Sequence, residues 1–100
     1  MEPVTQTVRR RMLELLRAGP ATVAELARAL GLREPEAAEH LGHALRSLAP
    51  GERVVVEPAR CRACGFSFRG RERTGRPGRC PRCRAERIAP ARYRVEGREG

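Results

Sequence analysis

Four cysteines, arranged as two CxxC pairs, constrain this chain more than any other feature. Cys61 and Cys64 form the first pair, Cys80 and Cys83 form the second, and fifteen residues lie between the pairs. Two residues between paired cysteines let both sulfurs face one point across a tight turn, and two such turns on the arms of a hairpin complete a tetrahedron. The spacing therefore predicts a closed, structural zinc site held by these four cysteines.

The residue after each pair bears on the shape of its turn. Gly65 follows the first pair, and its freedom to take a positive φ angle lets backbone N–H groups turn back toward the thiolates. Arg84 occupies the equivalent position after the second pair. We therefore expect that half of the site to be less ideal.

Three other uses of four cysteines compete with structural zinc. Two disulfides would suit an extracellular protein, but the N-terminus does not resemble a secretory signal. A thioredoxin-like redox motif needs one CxxC in a βαβ context, which this sequence lacks. Iron in a rubredoxin-like site would use the same ligands, with only Phe66 and Phe68 available to shield it.

The length and composition predict one small domain, or one domain that carries a subdomain, and a chain of this size needs help to fold. The chain has 100 residues, of which 3% are aromatic, so its core must consist of Leu, Val and Ala side chains. A core of this size provides little stability, and we expect a metal ion or a homodimer partner to add to it. Since no apolar run approaches the ~20 residues needed to cross a bilayer, we expect a soluble, cytoplasmic protein with no membrane contact.

The net charge of +9 is concentrated in the second half of the chain. Residues 1–50 contain seven arginines and six glutamates, whereas residues 51–100 contain fourteen arginines and six glutamates. Residues 60–84 alone contain nine arginines and one glutamate. Such a basic surface attracts phosphate backbones or acidic protein faces.

The first half of the chain has the periodicity of three helices. A first helix, with Thr5 or Thr7 as its cap, ends at Gly19 and carries an apolar stripe on one face. Leu13 lies off this stripe, so it suits either a wide core face or a dimer contact. The stripe consists of Val8, Met12, Leu15 and Leu16.

Capping residues define the next two helices. Thr22 caps the second helix and Gly31 ends it, and Pro35 is a favoured first residue for the third. The third helix has a buried stripe that runs from Ala37 to Leu48. Two short helices joined by a tight turn indicate a helix-turn-helix.

The periodicity changes after Gly51. Residues 53–58 and 91–96 read as two strands, and the cysteine segment lies between them. We therefore predict an α+β fold: a three-helix winged helix-turn-helix with a zinc ribbon inserted between the two wing strands. In this prediction, residues 1–58 form the helices and the first wing strand, 59–87 the ribbon, and 88–100 the second wing strand and the tail.

The sequence resembles a known family. Residues 22–31 are typical of the second helix of winged helix-turn-helix regulators, and residues 54–66 and 80–83 resemble small prokaryotic predicted transcriptional regulators. These regulators fuse a winged helix-turn-helix to a rubredoxin-like zinc ribbon. The resemblance covers roughly residues 8–94 and implies a zinc-binding, DNA-binding regulator.

The residues that we expect to contact nucleic acid belong to three groups. A Gly-rich, basic loop between the cysteine pairs suits contact with a phosphate backbone. The exposed face of the third helix would meet base edges in the major groove. The first turns of the first helix suit a further phosphate contact. The residues are Arg69, Arg71, Arg73, Arg76 and Arg79 in the loop, His40, His43 and Arg46 on the third helix, and Arg9 and Arg10 on the first.

Acidic residues give a competing interpretation. Glu34, Glu36 and Glu39 suit the positive end of the third helix but repel phosphate. A module that docks on RNA polymerase or on another acidic partner is therefore the alternative, with RNA binding as a third option. We expect no enzymatic activity, because the sequence contains no Asp, no nucleophile with an evident base and no phosphate cradle.

Overall fold

Three helices precede two small antiparallel sheets. The structure is a computed structural model that describes residues 4–68 and 78–97. Strand β1 pairs with β4, and β2 pairs with β3. None of the described helices is long and apolar enough to cross a membrane. The elements are α1 (Val4–Ala18), α2 (Val23–Leu30), α3 (Glu34–Ala44), β1 (Arg53–Glu57), β2 (Arg60–Cys61), β3 (Ile88–Ala89) and β4 (Arg92–Glu96).

Helix α1 differs from its prediction at its start and in the face that it buries. It includes both Thr5 and Thr7, so neither residue caps it. Leu13 is buried at 7% exposure, whereas Leu15 is 38% exposed. Of the two expectations for Leu13, the wide core face is therefore confirmed, and the dimer contact is not. Because α1 packs against α2, α3 and β4 together, its buried face is wide enough to include Leu13, and Leu15 lies at its margin.

The predicted caps of α2 are confirmed. The Thr22 hydroxyl accepts a hydrogen bond from the Glu25 N–H at 3.1 Å, and the Glu25 carboxylate accepts one from the Thr22 N–H at 2.8 Å. Gly31 ends the helix at φ 71°, in the left-handed region. This capping box and its glycine fix both ends of α2 and turn the chain toward α3.

Helix α3 is shorter than predicted. It begins at Glu34, with Pro35 in its first turn, and ends at Ala44. The next turn is tighter than an α-helix, since the Ser47 N–H donates to the Ala44 carbonyl, three residues earlier, at 3.0 Å. Leu48 still packs against the core, but from this turn rather than from the helix.

The main core lies between the helices and β4. Its largest fully buried side chains are those of Met12, Leu16, Leu26 and Leu41. Strand β4 adds the buried side chains of Tyr93 and Val95 to the same core.

The predicted pairing of the two longer strands is confirmed, with Val55 opposite Arg94. Ala21, between α1 and α2, forms a bridge to Tyr93 through hydrogen bonds of 2.9 and 2.8 Å. Strand β4 thus lies between Ala21 and β1, and β1 is the outer strand among the described residues.

The ribbon has a small core of its own. Phe66 and Phe68 contact each other edge to face, with ring centroids 5.1 Å apart, as expected for aromatic residues that pack the ribbon against itself. A cluster this small cannot hold a fold without a staple. Its members are Ala59, Cys61, Cys80 and Ile88, with Phe66, Phe68, Ala85 and Ala91 packed against them.

Candidate metal centre and basic surface

The first CxxC pair lies on a tight turn at the end of β2. The Cys61 N–H donates to the Phe66 carbonyl at 2.8 Å, and the Gly65 N–H donates to the Cys61 carbonyl at 2.9 Å. Gly65 has a φ angle of 82°, which is the positive value that the sequence predicted. The Ala63 N–H consequently faces the Cys61 sulfur at 3.4 Å.

The second pair repeats this turn with a less suitable residue. The Cys80 N–H donates to the Ala85 carbonyl at 2.9 Å, and the Arg84 N–H donates to the Cys80 carbonyl at 2.8 Å. The Arg82 N–H faces the Cys80 sulfur at 3.3 Å. Arg84 has a φ angle of 65°, and it is the only residue other than glycine with a positive φ in the described chain. This conformation costs an L-residue about 1–2 kcal/mol, which confirms that the second turn is the less ideal one.

The two turns bring all four sulfurs to one point. Their Sγ atoms lie within 4.8 Å of one another. The Cys61 and Cys83 sulfurs are 3.5 Å apart, and the Cys64 and Cys80 sulfurs are 3.6 Å apart. Four thiolates around zinc, with Zn–S bonds of about 2.3 Å, lie about 3.8 Å from one another. The four cysteines are free, which agrees with a shared metal ion rather than with two disulfides.

Backbone amides, burial and neighbouring sulfurs shift the pKa values of three of the four thiols. Hydrogen bonds from the amides of Cys64 and Ala63 outweigh burial and lower the pKa of Cys61 to about 6. Burial raises the pKa of Cys80, but amide hydrogen bonds from Cys83 and Arg82 outweigh it, and the pKa is lowered. For Cys83, the amide of Ala85 opposes the shift, yet burial and the neighbouring sulfurs raise the pKa to about 12.

Four thiolates this close repel each other unless a cation neutralises them, and a divalent ion removes that repulsion. Cys61, Cys64, Cys80 and Cys83 therefore form a site that fits one structural zinc ion. With four sulfur ligands the site is closed, because no coordination position remains for a substrate.

The basic loop falls mostly outside the described residues. Arg69, Arg71, Arg73 and Arg76 all lie in the segment 69–77. Arg79 is described, is exposed, and forms an ion pair with Glu86 at 3.3 Å.

Two of the predicted contact residues on the helices come together. The Arg9 Nε donates a hydrogen bond to His40 Nδ1 at 3.3 Å, which joins α1 to α3. His43 lies one turn beyond His40 and is exposed, and Arg46 is exposed in the turn after α3. Arg10 is exposed on α1.

The residue-by-residue prediction missed further arginines on the ribbon. Five exposed ribbon arginines were not predicted as contacts. Four of them lie within residues 60–84, where the high count of arginines already indicated a basic surface, but only the loop between the cysteine pairs was named as the contact. The structure shows that the turns themselves are also basic. These exposed residues are Arg60, Arg62, Arg82, Arg84 and Arg87.

The fold and the site define a class of protein: a three-helix domain with an antiparallel hairpin and a four-cysteine zinc ribbon. Residues 7–56 match the family model PF0610-like, N-terminal, and residues 58–98 match the PF0610 rubredoxin-like zinc beta-ribbon domain. The chain belongs to the PF0610-like family.

Among solved structures, the chain is similar to the solution NMR structure of protein PF0610 from Pyrococcus furiosus. The two share 31% sequence identity with a TM-score of 0.72, over 96% of this chain and 94% of that one. A search of curated proteins gave no match. The resemblance that the sequence showed is thus confirmed for the N-terminal domain and for the zinc ribbon.

Proposed function

We propose that this chain is a winged helix-turn-helix transcriptional regulator of the cytoplasm that binds double-stranded DNA and has no enzymatic activity. In this proposal, α3 enters the major groove and the hairpin of β1 and β4 is the wing. The zinc ion is structural, and the ribbon that it holds provides the attraction to the phosphate backbone.

The connections between the elements support a winged helix. Gly31 in its left-handed conformation turns α2 sharply into α3, as in a helix-turn-helix. The hairpin then packs on the helices through β4, and the bridge between Ala21 and Tyr93 adds the α1–α2 connection to the sheet.

The exposed arginines of the ribbon are the observation that carries the proposal. Among the described ribbon residues, only Arg79 has a carboxylate partner, Glu86. Zinc with four thiolates has a net charge of −2, which leaves the ribbon strongly positive. Arginines without carboxylate partners are free to replace the condensed counterions of a nucleic acid. The remaining exposed arginines of this region are Arg60, Arg62, Arg82, Arg84 and Arg87.

The contact between α1 and α3 adds a second surface. The hydrogen bond between Arg9 and His40 holds a guanidinium beside the third helix, and His43 is exposed one turn further along. Contacts of a guanidinium with phosphate position a protein on the duplex, while side chains on the helix read base edges.

A protein-interaction module is the second candidate. Glu34, Glu36 and Glu39 are all exposed on α3, which is the helix that DNA binding would use. These charges repel phosphate, whereas a module that docks on RNA polymerase or on another acidic partner would use the basic ribbon and would not need α3. Neutralising these glutamates therefore distinguishes the two candidates.

The test is a salt titration of the zinc-loaded chain on labelled duplex DNA, followed by fluorescence anisotropy. For wild type, the logarithm of affinity should fall linearly with the logarithm of salt concentration, by about 0.9 per neutralised phosphate. Replacing Arg62, Arg82 and Arg87 together with Ala should reduce the magnitude of this slope by about 2–3. Arg28→Ala is the control, because Arg28 is an exposed arginine of α2 that belongs to none of the proposed contact groups.

Further arms separate the alternatives. Glu36→Gln combined with Glu39→Gln should strengthen DNA binding if α3 lies against the duplex, because two repulsive charges are removed. Absence of binding at low salt would contradict the proposal and favour the protein-interaction module. Tighter binding of single-stranded RNA than of duplex DNA would favour the RNA option.

A further inference from the structure

Strand β1 has an edge that no other described strand covers. The N–H and C=O groups of Tyr93 bond to Ala21, so they point away from β1. Because backbone groups of successive strand residues point to alternating sides, Arg94, next to Tyr93, bonds toward β1, where Val55 is its partner. By the same alternation, the backbone groups of the neighbours of Val55 point outward. These neighbours are Val54 and Val56.

The three central residues of this edge lack the usual protection against pairing. Edge strands in natural proteins are blocked by proline, by lysine, by bulges or by inward-pointing charges. Strand β1 is a five-residue strand, Arg53–Glu57, with three consecutive valines and no proline. Val56 is opposite the buried Tyr93 but is itself 46% exposed, and it is not among the side chains that pack against the helical core.

We propose that β1 pairs antiparallel with β1 of a second copy of this chain, about a twofold axis at Val55. The two hairpins then form one four-stranded sheet. The outward N–H and C=O groups of Val54 bond to those of Val56 of the partner subunit. Main-chain pairing of this kind is a common mode of recognition for an exposed sheet edge.

The charges at the ends of β1 favour pairing with a second copy of this chain, and they set the direction and the register of that pairing. Antiparallel pairing about Val55 places Arg53 opposite Glu57 of the partner subunit, and the same pair occurs again by symmetry. A parallel arrangement would instead place Arg53 opposite its own equivalent, and like charges directly opposite each other are destabilising. A register shifted by two residues in either direction would leave one charge opposite Val55 of the partner subunit and the other beyond the end of its strand.

The intramolecular register extends this pattern across the whole sheet. Glu96 pairs with Arg53 at 3.0 Å, and Arg92 is the β4 neighbour of Glu57. At each end of the four-stranded sheet, the residues that lie opposite one another then form a row whose charges alternate in sign from strand to strand. The row runs from Glu96 to Arg53, and then to Glu57 of the partner subunit and Arg92 of the partner subunit.

This inference does not rest on the proposed function. A twofold dimer would place two α3 helices in a symmetric arrangement, as in other helix-turn-helix dimers, but the pairing follows from the edge of β1 whether or not the chain binds DNA. Failure of DNA binding would therefore leave it unaffected.

The test measures the molar mass of the zinc-loaded full chain by light scattering, from micromolar to millimolar concentration. Wild type should reach twice its chain mass of 11.1 kDa. Arg53→Glu and Glu57→Arg should each weaken dimerisation at least about tenfold, because each places like charges opposite one another. An equimolar mixture of the two variants should regain the dimer, since every introduced charge then faces its opposite. Retained zinc together with unchanged helical circular dichroism in each variant confirms that both the ribbon and the helical domain are folded.

Two results would overturn the proposal. One is a wild type that stays monomeric at every concentration. The other is a mixture that dimerises no better than the separate variants, since a change caused by misfolding would not be rescued by mixing.

A cross-link gives an independent measurement. Val55 and its equivalent would form a non-hydrogen-bonded pair with Cα atoms about 4.5 Å apart, within the range of a disulfide. Mild oxidation of zinc-loaded Val55→Cys should yield a covalent dimer. Val54→Cys is the matched control and should not, because its equivalent lies diagonally across the pair, too far for a disulfide. Equal cross-linking of both variants, or none in Val55→Cys, would contradict the register.

Discussion

Arg84→Gly should make the zinc ribbon more stable. Arg84 holds a φ angle of 65°, a conformation that costs an L-residue about 1–2 kcal/mol. Glycine avoids this cost but loses about 0.5–1 kcal/mol more conformational entropy on folding. The expected net gain is about 0.5–1 kcal/mol. Because ribbon folding and zinc binding are coupled, this gain should appear as about two- to fivefold tighter zinc binding.

Gly65→Ala is the mirror experiment at the first turn. Gly65 has a φ angle of 82°, and a Cβ atom added there would meet no atom within 4 Å. The cost is therefore conformational rather than steric. We expect zinc binding to weaken by about the same two- to fivefold factor.

Competition with a chromophoric zinc chelator measures both effects. Arg84→Ala is the control that removes the charge and keeps the unfavourable backbone conformation, so its zinc affinity should stay close to that of wild type. Zinc affinities of Arg84→Gly and Arg84→Ala that do not differ would refute the reasoning, as would an unchanged affinity in Gly65→Ala.

Three further predictions concern the zinc site and the helical domain. Cys80→Ser should abolish stoichiometric zinc binding and the dispersed NMR signals of the ribbon, while helical circular dichroism persists; full zinc occupancy would contradict a four-thiolate site. Thr22→Ala should lower the free energy of unfolding in urea by about 1 kcal/mol through loss of the α2 cap, and an unchanged midpoint would contradict that role. Hydrogen bonds from Arg17 and from the Ala49 amide lower the pKa of Glu52 to about 2 from 4.5, so its stabilising effect is complete above pH 4.5 and is lost as the pH falls toward 2. The difference in free energy of unfolding between wild type and Glu52→Gln, followed by circular dichroism, should therefore vanish as the pH falls from 4.5 toward 2. A difference that does not depend on pH would contradict the lowered pKa of Glu52.

The sequence by itself determined the features that depend on a few neighbouring residues. The spacing of the cysteines fixed the two turns and hence the metal site, and the glycine after the first pair fixed its positive φ. Thr22 and Gly31 similarly fixed the ends of α2, since a capping box and a left-handed glycine act within one helical turn. The pairing of β1 with β4 also followed from local patterns, because the two strand signals flank the ribbon.

Only the tertiary structure decided which surfaces meet. The apolar periodicity of α1 favoured Leu15 over Leu13, yet packing against three elements buries Leu13. The hydrogen bond from Arg9 to His40 joins residues 31 positions apart, and the position of β4 between Ala21 and β1 joins residues still further apart. Burial, and contacts between segments that no motif connects, depend on the neighbours that the folded chain supplies, and a pattern along one helix or strand does not contain them.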